Sequence, residues 1–430
     1  MLQYVIALFT ILLFLVLFFL KPKIETYVMY VLVALPFIDT KILPLEFGFV
    51  RTFDLITIIA FLFLFKKFII FTGKIKFYFV IAVLLILITI LSGLNSEFGF
   101  ANYYNYYPII TIFIFTRFLF IYVKEDLKAK YEIINYFKIG FSITLFFMLL
   151  QVLFGLRVNY FGEVGLNVIS DTASFIRYPG LFAESQKNGQ FIALGSFLFL
   201  MNLKDLSFNK KYFSYILFCI SVILMFLAGS RSAIGGFLIA SSFLILFSNV
   251  RIKITSAAFV LLGYFLFSLI SINNGALSRT DRIENDLDFR QEVWQESFEI
   301  AKTHPIFGIG LGNFQNYTTK YNQDLYLEIS PGDYLYFTQP ENGYLKILVE
   351  QGSLVFLIFC ILFLMPLINS IFNYLRGNLE FEVLFVVSVL IGWLISFNTI
   401  YSISDYRILV AVATFLSFLI VNNHRRILGQ

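Results

Sequence analysis

Apolar runs of about 17–25 residues, the length that crosses a hydrocarbon core as a helix, recur along almost the whole of this 430-residue chain. A backbone in lipid has no water to bond to and must satisfy its own polar groups, which a helix does within one segment. Composition agrees, with 59% hydrophobic residues, 56 of them Phe, and 14% charged, where soluble domains carry about 25% charged residues. The sequence therefore predicts an all-α fold, a polytopic transmembrane helical bundle of about 12–13 spans. The runs lie roughly at 4–20, 26–42, 52–65, 77–94, 107–123, 138–155, 188–203, 213–229, 233–249, 254–272, 353–372, 381–401 and 405–422. The run from Tyr4 to Leu20 has no basic segment before it and no small-residue cleavage site after it, so it reads as a span and not as a cleaved signal. Cys219 and Cys360 both fall inside apolar runs, and His304 and His424 are far apart, so no disulfide framework or metal site is indicated. A net charge of +5 is ordinary for such a chain and points to no nucleic acid.

Basic residues in short connections set orientation, because they stay on the cytoplasmic side. With Lys21-Pro22-Lys23 taken as cytoplasmic, every second connection is basic, and together these hold more than half of the Lys and Arg. The opposite connections are basic mainly at Arg177, at Arg231 and in a long polar insert over residues 273–342. These exceptions run against the topological bias and so call for another reason. One integral membrane domain over residues 1–430, with residues 273–342 as an external cap, is the simplest organisation.

The insert has internal structure. Over residues 288–303, Trp294, Phe298 and Ala301 recur at i, i+4 and i+7 beside Val293 and Ile300, which predicts an amphipathic helix with Asp288 as N-cap and His304-Pro305 as stop. Glycines 308, 310 and 312 follow. They come after a helix and do not match a dinucleotide-binding spacing, so they predict a tight external turn. The Tyr-, Asn- and Gln-rich stretch over 313–338 suits either an aromatic sugar-facing surface or a plain solvated loop.

Three strings carry a family resemblance: RYPGLFAESQKNGQFIAL (177–194), AGSRSAIGG (228–236), and R-x-x-x-W followed by HPIFGIGLGNF and ENGYLKILVEQGSL (290–354). In order and spacing they resemble the bacterial O-antigen polymerase and O-antigen ligase superfamily, whose members are type-C-like glycosyltransferases. The resemblance implies transfer of an oligosaccharide from an undecaprenyl diphosphate donor to a sugar hydroxyl on a second lipid-linked chain, inverting and metal-independent. It places the site at the periplasmic face of the inner membrane, with membrane lipids and a chain-length regulator as partners. Ligases of the family usually carry a histidine where this chain has Glu341, which favours the polymerase branch. A ligase acting on lipid A core and a lipid-linked oligosaccharide transporter are the alternatives; a transporter usually shows repeats and mid-membrane charges.

A leaving diphosphate needs stabilised negative charge, and guanidinium groups bind phosphate bidentately at any working pH. That assigns Arg231, Arg290, Arg177 and Arg279 as candidate diphosphate ligands, with Asn342, Asn188 and Arg282 in support and Glu341 as the base for the acceptor hydroxyl. Each has a second reading. Arg231 could snorkel from a hairpin, Arg290 could be solvated, and Arg177 could pair with Asp171 or Glu184. Thr338 and Glu341 fit a capping box, and Glu350 reads as a pairing residue. Arg117, about 9 Å inside the fifth run at 1.5 Å rise per residue, is expected to snorkel to the cytoplasm.

Overall fold

The computed structural model describes residues 2–45, 48–69, 76–125, 128–156, 176–203, 206–248, 253, 283–322, 326–330, 333–337, 339–377, 379 and 381–427. Among these, seven helices are long and apolar enough to cross a membrane, and two short hairpins supply the strands. The protein is thus an all-α, multi-pass membrane protein, as its apolar runs require. It divides into two compact units: Met1–Phe141 with Gln291–Glu380 and Phe397–Gln430, and Ser142–Arg290 with Phe381–Ser396.

In the first unit, α1 (Leu2–Leu20) is continuously apolar and ends where Pro22 withholds a backbone donor. The run expected over 26–42 is not one span. Helix α2 covers only Ile24–Val33, a 3-10 turn takes Leu35–Phe37, and β1 (Lys41–Leu45) pairs antiparallel with β2 (Gly48–Arg51). Pro36 is the cause, since its ring clashes with the carbonyl four residues back and it cannot donate. Helices α3 (Thr52–Ile69), α4 (Lys76–Asn95) and α5 (Tyr107–Glu125) follow. Tyr27 knits this end together. Its hydroxyl lies 2.9 Å from Thr57 Oγ1, and its ring meets Phe115 and Phe118 edge-on, satisfying the polar tip while the ring fills the core.

Arg117, on α5, does not reach solvent. It is buried, donates from Nε to Phe68 O at 3.2 Å and lies 4.7 Å from the Phe79 ring centroid. Phe68 belongs to the last turn of α3, whose carbonyls have no partner within their own helix. A guanidinium therefore finds an acceptor inside the bundle and has no need to snorkel.

In the second unit, the later part of α6 (Ala129–Phe154) is joined by α7 (Ser185–Ser196), α8 (Phe208–Leu227) and α9 (Arg231–Leu246). The run expected over 188–203 is a twelve-residue helix followed by a 3-10 turn over Phe197–Leu200. Small residues bring the backbones together. A Cβ on Gly189 would stand 2.6 Å from Ser230 Cβ, and one on Gly392 would stand 2.6 Å from Gly236 O. The run expected over 254–272 lies outside the described residues.

The predicted amphipathic helix exists as α10 (Ile283–Thr303) and stops before His304 as expected. It starts five residues earlier than the pattern suggested, so Asp288 lies inside the helix and is not its N-cap. Its buried stripe is Val293, Ser297, Ile300 and Ala301, whereas Phe298 is exposed with Lys302 Nζ 5.0 Å from its ring centroid. Short helix α11 (Phe314–Tyr321), a hairpin of β3 (Tyr326–Ser330) and β4 (Asp333–Tyr336), and three long helices complete the chain: α12 (Gly343–Leu375), α13 (Glu382–Phe397) and α14 (Tyr406–Ile427).

Candidate functional site

The second unit gathers Arg177, Asn188 and Arg231 around one turn. Gly229 takes φ 67°, which lets the chain reverse after α8, and Ser230 caps α9 by accepting from Ala233 N at 3.4 Å. Arg231 is the first residue of that helix and is exposed. A cation beside the unbonded N–H groups of a helix start makes a local environment that favours anions. The backbone beside Arg177 is tied to the same turn, because Tyr178 N donates to Leu227 O at 3.3 Å. Asn188 is fully buried and donates from Nδ2 to Tyr178 O at 3.0 Å. Gln151 closes the other edge, accepting from Gly180 N at 2.8 Å and donating to Gly180 O at 2.9 Å. Asn188 and Gln151 thus hold the loop that presents Arg177. Glu184 pairs with Lys187 at 2.8 Å; Asp171 lies outside the described residues.

In the first unit, Glu341 sits at φ 52°, a left-handed conformation few non-glycine residues adopt. It is half-buried. The cap of α12 is Asn342, whose Oδ1 accepts from Tyr344 N at 3.0 Å and Leu345 N at 3.2 Å, while its Nδ2 donates to Asn398 Oδ1 at 2.9 Å. A capping box needs its acidic residue three places into the helix, whereas Glu341 precedes the cap. The capping-box reading therefore fails, and the task belongs to its neighbour. Gly343 is required by proximity, since a Cβ there would stand 2.6 Å from the Phe397 ring.

The glycine turn is the tight turn the sequence predicts, and the structure supplies its purpose. Gly308, Gly310 and Gly312 have φ of 66°, 90° and 80°, and the turn docks on α12 where that helix breaks at Gly352. Ile309 N donates to Val349 O at 3.0 Å, Gly310 N to Glu350 O at 2.8 Å, and Ser353 N to Pro305 O at 2.9 Å. Buried Glu350 accepts from Gly312 N at 2.9 Å through Oε2. Asn102 Nδ2 donates to Gly312 O at 2.8 Å, and Thr89 Oγ1 to Gln351 Oε1 at 3.0 Å. Two distant strings of the sequence, 305–313 and 349–353, are therefore one structural piece.

Arg290 lies on α10 and is half-buried. Arg279, Arg282 and Thr338 lie outside the described residues. Sequence reasoning missed a largely buried charge network in the first unit, with Asp54, Asp405 and Arg407 buried and Arg51 and Asp39 half-buried. Arg51 donates to Asp39 and, at 2.9 Å, to Ser404 O. Arg407 donates to both oxygens of Asp405, at 2.9 and 2.5 Å, and Asp54 accepts from Tyr406 and from Thr111. Burial raises the Asp39 carboxyl above its ordinary range, Arg51 pulls against that and Asp405 adds to it. The available signal was Ser404-Asp405-Tyr406-Arg407 at the edge of an apolar run, since charges there seldom lack partners.

A family model described as O-Antigen ligase matches residues 216–360, about a third of the chain. The matched stretch contains Arg231, Arg290, Glu341, Asn342 and the docked glycine turn; Arg177 and Asn188 precede it. The match supports the O-antigen polymerase and ligase superfamily and does not separate the two branches. No curated protein matches the chain.

Proposed function

On the premise of that family region, we propose that this protein is an inner-membrane polysaccharide repeat-unit polymerase with its site facing the periplasm. An undecaprenyl diphosphate-linked oligosaccharide is the donor and a second lipid-linked repeat is the acceptor. The acceptor hydroxyl oxygen attacks the donor's anomeric carbon as the bond to the diphosphate breaks. The leaving electron pair stays on the diphosphate, where Arg231 and Arg290, with Arg177 and Arg279, offset its charge. Glu341 takes the hydroxyl proton. Attack opposite the leaving group inverts the anomeric configuration, and no metal takes part.

The observation that carries this reading is the division between Glu341 and Asn342: the asparagine does the capping while the carboxylate stands just outside the helix start at φ 52°, so capping does not account for a glutamate there. Glutamate where ligases of the family carry histidine favours the polymerase branch. The glycan profile of a deletion strain tests the choice. A single repeat on lipid A core is the expected result; bare core with polymer retained on its lipid carrier indicates a ligase. Turnover unaffected by EDTA is expected of the purified protein.

A further inference from the structure

The first unit contains a partly open cavity of about 240 Å³ walled by α4, α5, α12 and α14. Along α5 its lining runs from Pro108 to Phe120, roughly 18 Å at 1.5 Å per residue. The body is apolar, with Leu85, Phe113, Leu362, Phe363, Leu416 and Ile420 among its walls. One end is different. Arg51, Lys346 and Glu350 are its charged lining residues; Arg51 is also paired with Asp39, which does not line the cavity. Glu350 is fully buried, and its Oε1 accepts no hydrogen bond, although Lys346 Nζ lies 3.5 Å away. A buried carboxylate oxygen whose nearest donor stands 3.5 Å away is incompletely satisfied, and Glu350 lines a space that a ligand can enter.

We propose that this cavity is a binding slot for the single hydrocarbon chain of a lipid phosphate. A phosphate monoester carrying one proton offers this end both an anion and a donor. Its negative charge faces Lys346 and Arg51, and its O–H donates to Glu350 Oε1. The chain then lies along α5 among the aromatic and aliphatic walls. The slot seats the released lipid carrier, whose terminal phosphate is a monoester once the sugar has left, and to that extent rests on the polymerase reading. Its test measures binding without turnover, so either can fail while the other stands.

The experiment titrates the purified full-length protein in detergent with dodecyl phosphate, following bound ligand by native mass spectrometry. Ala82 lines the slot on α4, and Leu84 on the same helix is exposed outside it. The parent binds one equivalent. Ala82→Trp weakens binding by on the order of tenfold or more, Ala82→Leu gives a smaller loss that keeps the test open if the larger side chain disturbs folding, and Leu84→Trp binds like the parent. Lys346→Gln weakens dodecyl phosphate but not dodecanol. Parent-like binding by both Ala82 variants, equal loss in Leu84→Trp, or displacement by an equimolar two-chain phosphatidylglycerol overturns the proposal.

Discussion

Gly352 breaks α12 with φ 80° and lies so close to Ile306 that a Cβ on it would overlap the Ile306 carbonyl oxygen. Gly377, at φ 71°, has nothing within 4 Å of its own Cβ position, so the pair separates backbone strain from collision. Gly377→Ala is expected to cost about 1 kcal/mol, the strain of a left-handed alanine. Gly352→Ala pays that and also displaces the turn, and is expected to lower the thermal midpoint in detergent several degrees further. Equal midpoints for the two variants would mean that the turn does not need its seat on α12.

Glu341 and Asn342 respond to different measurements. Glu341→Gln should fold like the parent yet elongate lipid-linked repeats about 10²–10⁴-fold more slowly. Asn342→Ala removes the α12 cap and should cost about 1 kcal/mol of stability. Near-normal turnover by the Gln variant sends the search for the base elsewhere.

Much of this was legible in the sequence, and the failures have specific causes. The apolar runs located most helices because length and hydropathy are the physical requirements for crossing lipid. They overran at 26–42, where hydropathy is blind to the backbone effect of Pro36. The spacing of α10 gave its end and, with Val293, Ile300 and Ala301, most of its buried stripe, but it counted Phe298, which is exposed, and passed over buried Ser297, whose hydroxyl bonds back to Val293 O. The site was legible as residue types and illegible as neighbours. Nothing in the spacing says that Asn188 supports the loop carrying Arg177, or that Glu350 fastens a turn nearly forty residues upstream.

Arg231→Ala and Arg290→Ala should each abolish polymerisation at normal expression. Arg→Lys at either position should rescue only in part, because an ammonium cannot reproduce the guanidinium fork. Full activity in both alanine variants would remove these residues from the site.

Topology is open to direct labelling. With Cys219 and Cys360 replaced by serine, single cysteines at Tyr317 and Lys210 should react with an impermeant maleimide from opposite sides of the membrane. Labelling of both from one side contradicts the external placement of residues 273–342.

Glu97 makes the docking of α11 sensitive to acid. Hydrogen bonds from Lys320 and Tyr321 hold its carboxyl below the ordinary carboxylate range. A depressed folded-state value means that the contact stabilises above the unfolded value and is lost as pH falls through the folded one. Hydrogen exchange over Phe314–Tyr321, corrected for intrinsic rates, should therefore accelerate on acidification below the usual carboxylate range. In Glu97→Gln it should be fast throughout.

The docked glycine turn and the Asn342 cap fix both ends of the stretch between them to the first unit. Gly312 is bonded to Glu350 and Asn102, and Asn342 to Asn398. Residues of the β3–β4 hairpin, which lies between docked α11 and Glu341, can therefore be exchanged without shifting the chain at either anchor. Kinship among such proteins would then persist at the anchors and fade between them. Two related chains with different hairpins would still share this frame.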